Sequence, residues 1–333
     1  SDLYTSHKMH FDKKGFLFVL EFALFCTLAI AVAYGATAYA ASYVYPQEPP
    51  AELDRQIEEV RAERALPEPA PEIVVSEVRV PQVSAEAFLV ADAGTGEVFL
   101  EQKADYVHPI ASITKLLTAL VVDETIPRGA VLTITEKDRE NSAGTPGSLA
   151  AGDSFTVSDL FYALLMDSNN SVANAFARQG GTRTFVRLLN EKAWEIGMYG
   201  THFEDPTGLS KYNRSTANDL LTLIGYLHQQ RSDLLAITTI DSQKITAQNG
   251  RTYTLGNRNH FEKDEAFLGG KTGYTDEAKQ TMVTLFDISI DGANVPLAII
   301  VLGSNNRKAD VSALRKWFED AATVRMPFVQ SAN

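Results

Sequence analysis

Hydrophobic positions change their spacing several times along the 333-residue chain, and each change marks an element. Residues 87–91 and 97–101 are short apolar-rich runs on either side of Asp92-Ala93-Gly94-Thr95-Gly96, the pattern of a β-hairpin. Residues 157–166, 182–196 and 216–227 place apolar side chains three and four apart and predict helices. Two more strands are expected at 281–290 and 296–302, joined through Asp291-Gly292, before an amphipathic helix at 310–322. Strands at both ends with helices between them imply one α/β domain whose sheet is assembled from distant parts of the chain. No internal repeat is visible.

The first seventy residues follow other rules. From 22 to 41 about twenty consecutive residues carry no charge, close to the roughly 20 that span about 30 Å of hydrocarbon. His7-Lys8 and Lys13-Lys14 precede this run and should stay in the cytoplasm, which puts the remainder outside. Ala36-Thr37-Ala38 and Ala38-Tyr39-Ala40 offer small-x-small cleavage sites, so a removed signal segment competes with an uncleaved anchor. The run exceeds the usual apolar core of a signal peptide, which favours the anchor. Residues 42–72 are rich in Pro, Glu and Ala and read as a linker, with a short charged helix expected at 51–65. The expected organisation is therefore a cytoplasmic segment (1–14), an anchor or signal segment (15–41), this linker, a globular domain (73–325) and a tail (326–333).

Composition then narrows the chemistry. A net charge of -12 argues against a nucleic-acid partner, which needs a basic face to displace counterions. The single cysteine, Cys26, excludes an internal disulfide and a cysteine-built zinc site, and the six histidines form no HExxH pair. No metal or organic cofactor is implied. Any catalysis must use hydroxyls, amines, carboxylates and amides.

Three short motifs supply such groups. Ser112-Ile113-Thr114-Lys115 is the chain's one Ser-x-x-Lys spacing, and on a helix it puts both side chains on one face. A neutral amine there can take the serine proton, and burial or a second cation lowers a lysine toward neutrality. The plain alternative is a helix start followed by a surface lysine. Ser168-Asn169-Asn170 offers a hydroxyl and amides that relay a proton or hold a carbonyl. Its alternative is helix punctuation, and Ser304-Asn305-Asn306 shows how cheap the tripeptide is. Lys271-Thr272-Gly273, after Gly269-Gly270, combines a cation and a hydroxyl for a carboxylate with glycines that admit a substrate backbone, or else is a glycine-rich turn. Together, in this order, they form the S-x-x-K, S-x-N and K-T-G signature of penicillin-binding proteins and class A β-lactamases.

On these motifs the chain resembles the low-molecular-mass penicillin-binding proteins, specifically the serine-type D-alanyl-D-alanine carboxypeptidases. The likeness extends through residues 90–96, Pro109-Ile110-Ala111, Asp205-Pro206-Thr207-Gly208-Leu209, Ser215-Thr216-Ala217-Asn218-Asp219-Leu220 and 270–275, covering about 86–317. It implies the serine β-lactamase/transpeptidase-like α/β fold, an antiparallel sheet flanked by helices plus a mostly helical subdomain. It also implies Ser112 as nucleophile, Lys115 as its base, and Ser168 and Asn170 as the opposite wall. Lys271 would tune the electrostatics, while Thr272 and Gly273 hold the substrate strand. The N–H groups of Ser112 and Tyr274 would form the oxyanion hole, and Arg307 would meet the substrate carboxylate. Lys115 and Lys271 should then depress one another's pKa and titrate as a pair. Asn169-Asn170-Ser171 departs from the family's usual small residue, Asn and Asp. Too little chain follows Trp317 for the β-rich second domain and C-terminal anchor of many relatives, which leaves the N-terminal segment as the expected attachment.

The implied activity is removal of terminal D-Ala from peptidoglycan stem peptides, with β-lactams as acylating inhibitors. Endopeptidase cleavage of cross-links is a close variant. A β-lactamase would need a deacylating carboxylate, for which Glu204 and Asp205 lie in the relevant stretch, though in a peptidase-like context. A non-catalytic wall-binding homologue is disfavoured by the intact Ser112, Lys115 and Lys271.

Overall fold

A short strand near the start of the globular region pairs with a long one near its end. The computed structural model describes residues 72–76, 78–140 and 149–325. The expected anchor or signal segment, nearly all of the linker with its helix at 51–65, and the tail lie outside these residues. Among the described residues no helix is long and apolar enough to cross a membrane.

In chain order the strands are β1 (Glu72–Val75), β2 (Ala87–Asp92), β3 (Val98–Gln102), β4 (His108–Pro109), β5 (Val131–Thr133), β6 (Ser154–Thr156) and β7 (Arg214–Ser215). They continue with β8 (Ser242–Thr246), β9 (Thr252–Gly256), β10 (Phe267–Thr275), β11 (Lys279–Ile290), β12 (Ala293–Ser304) and β13 (Ala322–Arg325). The helices are α1 (Thr114–Thr125), α2 (Glu136–Glu140), α3 (Val157–Leu165), α4 (Asn170–Gly180) and α5 (Thr182–Glu195), then α6 (Ala217–Gln230), α7 (Ser232–Ile237) and α8 (Arg307–Ala321).

The main sheet is antiparallel, in the order β10-β11-β12-β2-β3. Its longest hairpin turns as expected at Asp291-Gly292. Both residues have positive φ (48° and 87°), and Ile290 pairs directly with Ala293, so a two-residue turn matches the twist of the strands. The β2–β3 turn is held by Asp92, whose carboxylate accepts from the Gly94 and Thr95 N–H groups at 2.6 and 3.2 Å.

Central strands are buried on both faces, and the period of two divides their side chains between two cores. Phe88, Val90, Phe286, Leu297, Ile299 and Val301 meet Val311, Leu314, Trp317 and Phe318 of α8. The alternate residues, including Leu89, Ala91, Leu285, Ala298, Ile300 and Leu302, pack on the other side against α6 and the helical region. The fold class expected from the family resemblance is the one found, an antiparallel sheet flanked by helices.

Helices α3, α5, α6 and α8 fall within a few residues of their predicted bounds. Helices α1 and α4 are among those not predicted. Residues Thr114–Val122 of α1 are all buried, so its apolar positions do not alternate with exposed ones. In α4 the only large buried residues are Val172 and Phe176, four apart, and the rest of the buried face is Asn170, Ser171, Ala173, Ala175 and Ala177, so its stripe is short. Both helices bear on the site, because α1 begins just after Ser112 and α4 just after Ser168.

Phe286 has no exposed surface and meets the rings of Phe261 and Phe267 at 5.2 and 5.6 Å, with the Arg315 guanidinium 4.7 Å from its centroid. Phe286→Ala should lower unfolding free energy by about 3–5 kcal/mol in equilibrium urea titration. A loss below about 1 kcal/mol would show that this face of the sheet is not a packed core.

Candidate active site

The backbone leading into Ser112 is clamped from two directions. On one side β4 pairs with β7, and the Ile110 N–H donates to the Asn213 carbonyl at 3.0 Å. On the other the Thr281 hydroxyl donates to the Ile110 carbonyl at 3.1 Å, and Gly273 of β10 lies so close that a Cβ there would meet this carbonyl at 2.7 Å. Ala111 is held at φ 48°, a conformation that costs a non-glycine residue about 1–3 kcal/mol and persists only where surroundings over-determine it. Ser112 follows on a single 3₁₀ turn that runs into α1.

Lys115, in the first turn of α1, has no exposed surface. Its Nζ lies 2.9 Å from Ser112 Oγ and donates to the Thr207 carbonyl at 2.6 Å. Burial lowers its pKa to about 7, although Asp205 pulls upward; Arg258 pushes further down. A carbonyl only accepts, so Thr207 takes an N–H of the amine in either protonation state. The neutral amine thereby keeps a lone pair for the serine hydroxyl.

The loop carrying Thr207 is itself built around one carboxylate. Asp205 accepts from Thr207 N, Thr207 Oγ1, Gly208 N and Ser210 N at 2.6–2.7 Å. Asn213, fully buried, ties the loop to the helix: its Oδ1 accepts from Glu204 N and Asp205 N, and its Nδ2 donates to the Asp205 carbonyl and Thr114 Oγ1. Thr118 of α1 donates to the Pro206 carbonyl at 2.8 Å. Gly208 sits at φ 86°, where an added Cβ would lie 1.9 Å from the Ala111 carbonyl oxygen. The Asp205–Leu209 stretch thus supplies the lysine's acceptor and braces the turn that presents Ser112. The sequence marks this stretch by family resemblance, and by Asp205 as a candidate carboxylate, but not by this bracing role.

The opposite wall comes from the α3–α4 connection. Ser168 stands at φ 60° and lines the cleft. Asn169 caps α4, its Oδ1 accepting from Val172 N at 3.1 Å, so the punctuation and wall readings of Ser168-Asn169-Asn170 both hold, on different residues. Asn170, expected beside Ser168 on the wall, follows in the first turn of α4, where it is buried. The cap is taken by Asn169, which carries Asn170 into the helix.

Edge strand β10 forms the third side, paired only with β11. Thr272, Gly273 and Tyr274 line the cleft, as does Arg307 from the start of α8. Lys271 is buried behind them, its Nζ donating to the Thr272 carbonyl at 3.0 Å. Burial drives its pKa well below the ordinary lysine value, with Lys115, Arg307 and Arg258 adding to the effect. The expected depression is therefore present for Lys271. Burial is the main cause for both lysines, and the expected contribution of one lysine to the other is found for Lys271 but not for Lys115.

Arg307 Nη1 donates to the Gly273 carbonyl at 2.7 Å, and burial lowers its pKa. Arg258 also lines the cleft, pairing with Asp167 at 2.9 Å, and was not anticipated because it belongs to no motif. The result is an open cleft of about 300 Å³ lined by Ser112, Ser168 and the β10 edge, with Arg258 and Arg307 at its wall and the two lysines buried beside it. Such a site can activate a serine without a metal and hold an anionic group beside it.

The sequence matches the D-alanyl-D-alanine carboxypeptidase family over residues 74–306, and the chain belongs to that family. It is 33% identical over 258 residues to the D-alanyl-D-alanine endopeptidase of Pseudomonas aeruginosa, covering 75% of this chain and 82% of that protein. Its fold is similar to that of the D-alanyl-D-alanine carboxypeptidase of Mycobacterium tuberculosis, with TM-score 0.67, 26% identity and coverage of 76% and 100% of the two chains. Penicillin-binding protein D2 of Listeria monocytogenes, solved in its ampicillin-bound form, superposes with TM-score 0.62 and 27% identity over 72% of this chain and 99% of that one. The chain is accordingly a serine-peptidase hydrolase of the penicillin-binding fold.

Gly208→Ala tests the brace behind Ser112, with Gly250→Ala as its control. Gly250 has the same φ, 87°, but nothing within 4 Å of an added Cβ. Urea titration should show Gly208→Ala to be more destabilising by at least about 2 kcal/mol. Equal losses would mean that the contact with Ala111 constrains nothing.

Proposed function

From membership of that family we propose that the chain is an extracytoplasmic D,D-peptidase that cleaves the bond after a D-alanyl residue in peptidoglycan stem peptides through a Ser112 acyl-enzyme. The single observation carrying this reading is the buried Lys115 amine, 2.9 Å from Ser112 Oγ and held by the Thr207 carbonyl. Lys115 accepts the Ser112 proton as Oγ bonds to the D-alanyl carbonyl carbon. The N–H groups of Ser112 and Tyr274 take the developing oxyanion, a contribution worth a few kcal/mol of barrier in such sites. The C–N bond then breaks, and the proton passes to the leaving amine with Ser168 as relay and Lys271 setting the local potential. Water attacks the ester in the second half, freeing the peptide carboxylate and restoring the Ser112 hydroxyl. Thr272 and Arg307 hold a substrate carboxylate, Gly273 and the β10 edge align its backbone, and Asn170 orients the substrate amide from behind Ser168.

Two leaving groups fit this chemistry. Release of terminal D-Ala is the expectation from sequence; likeness to the Pseudomonas endopeptidase supports cleavage of D-alanyl cross-links as well. β-Lactams acylate Ser112 in the same way, as the ampicillin-bound relative suggests. Deacylation is slow in this reading, because the Asp205 carboxylate is consumed by its own loop and the Glu204 carboxylate accepts from Ser210 Oγ at 3.0 Å. The location rests on the uncharged 22–41 run and the basic residues before it, which would leave residues 73–325 facing the wall polymer.

Intact-mass spectrometry after mixing with a simple penicillin should show one stable adduct on the wild-type chain and none on Ser112→Ala. An adduct on the variant would remove Ser112 as nucleophile, and one that disappears within seconds would point to a β-lactamase.

The acylation rate reports the base. Lys115 must be neutral to accept a proton, so the rate should rise about tenfold per pH unit below 7 and level off above about 7. Lys115→Ala should lose that rise and acylate about 100- to 10,000-fold more slowly. A flat wild-type profile between pH 5 and 9 would assign the base elsewhere.

A further inference from the structure

The cleft does not end at Arg307. A second polar groove, of about 490 Å³, shares Tyr274 and Arg307 with it and is otherwise lined by His260, Gln280, Asn305, Asn306 and Lys308. Ser112 and Ser168 line only the first space, Asn305 and Lys308 only the second, so the guanidinium stands at their junction.

That guanidinium is fixed in place. Its Nη1 donates to the Gly273 carbonyl at 2.7 Å and its Nε to His260 Nε2 at 3.3 Å. Gln280 braces the same corner, its Oε1 accepting from the Arg307 N–H at 3.1 Å and its Nε2 donating to the Asn305 carbonyl at 2.9 Å. Burial, with Arg307 and Lys308 nearby, lowers the His260 pKa below the ordinary histidine value, while Glu262 opposes this. His260 is therefore an acceptor at neutral pH. Two of the five guanidinium N–H groups are spent on these partners, and the others remain for a carboxylate.

A single amino acid leaving the acyl-enzyme ends at the carboxylate that Arg307 holds and needs no space beyond it. A leaving group that is itself a peptide needs room beyond that carboxylate site, and this groove is the polar space that adjoins it through Tyr274 and Arg307. Its lining fits such an occupant: the exposed Asn305 amide and the Nδ2 of Asn306, whose Oδ1 caps α8, for a peptide backbone, and Lys308, exposed and in no salt bridge among the described residues, for a free carboxylate. We propose that the groove beyond Arg307 is a leaving-group subsite for the second, anionic stem peptide of a D-alanyl cross-link. This rests on the D,D-peptidase reading above and gives that site a preference for cross-linked over single peptides.

Three reactions of the full chain test it: cleavage of a dimer of two stem peptides joined by a D-alanyl amide, release of D-Ala from a single pentapeptide, and acylation by penicillin. Lys308→Glu reverses the charge in the groove and Asn305→Trp fills it. Each should lower kcat/KM for the dimer at least tenfold and leave penicillin acylation, together with any pentapeptide cleavage, within twofold of wild type. Unchanged dimer cleavage in both variants overturns the subsite, as does an equal fall in all three reactions. A wild type that cleaves the pentapeptide but never the dimer overturns it too. A wild type acylated by penicillin that cleaves neither peptide overturns the D,D-peptidase reading and this inference with it.

Discussion

An amine with no solvent contact sits in the first turn of α1, and its surroundings are arranged to keep it there. Burying an ammonium is costly, so Lys115 sheds its charge near pH 7 instead of near its ordinary value. That loss is chemically useful only if the amine points at a hydroxyl. Ser112 is three residues earlier, and the Thr207 carbonyl fixes the remaining freedom of Nζ. Thr207 in turn depends on the Asp205 carboxylate, and Gly208 is where the loop touches the strained Ala111. The apolar wrapping of α1 is thus a functional requirement as much as a stability term. A more amphipathic helix would leave Lys115 hydrated and protonated.

The sheet enters this arrangement through one edge. β10 pairs only with β11, and β11 with β12 forms the hairpin at the centre of both cores. The position of Thr272 and Gly273 relative to Ser112 is therefore set by strands whose sequence lies far from the serine. Gly273 permits the approach, since any Cβ would strike Thr281 Oγ1 and the Ile110 carbonyl. Precision of this kind comes from packed, buried elements and not from the loops they carry.

How much of this can be read from the chain alone differs by element. The Asp291-Gly292 hairpin is legible because a two-residue turn with positive φ at both positions is a local demand, and local demands leave residue signatures. The Ser-x-x-Lys pair is legible because helical spacing fixes proximity. Arg258 is not, since nothing local marks a side chain that reaches the cleft from the stretch before β10. The two Ser-Asn-Asn copies are a sharper case. In the first, Asn169 caps α4 and Ser168 is left facing the cleft. In the second, the cap moves one residue on to Asn306, and Ser304 is buried against Asp310 at 2.6 Å. The same tripeptide does two jobs because cap position depends on where each helix begins, which tertiary packing decides.

Charge distribution gives the last link between fold and substrate. The chain carries -12 overall, yet Lys115, Lys271, Arg258 and Arg307 converge on one cleft with Asp167 as a nearby counter-charge. Four full positive charges at that distance would be strongly unfavourable. The site resolves this by burial: the two lysines have lowered pKa values, while the two arginines, further toward solvent, keep the positive charge that faces the opening. Amines with depressed pKa values in the interior and guanidinium groups at the mouth thus place the two kinds of basic group at different depths of the cleft.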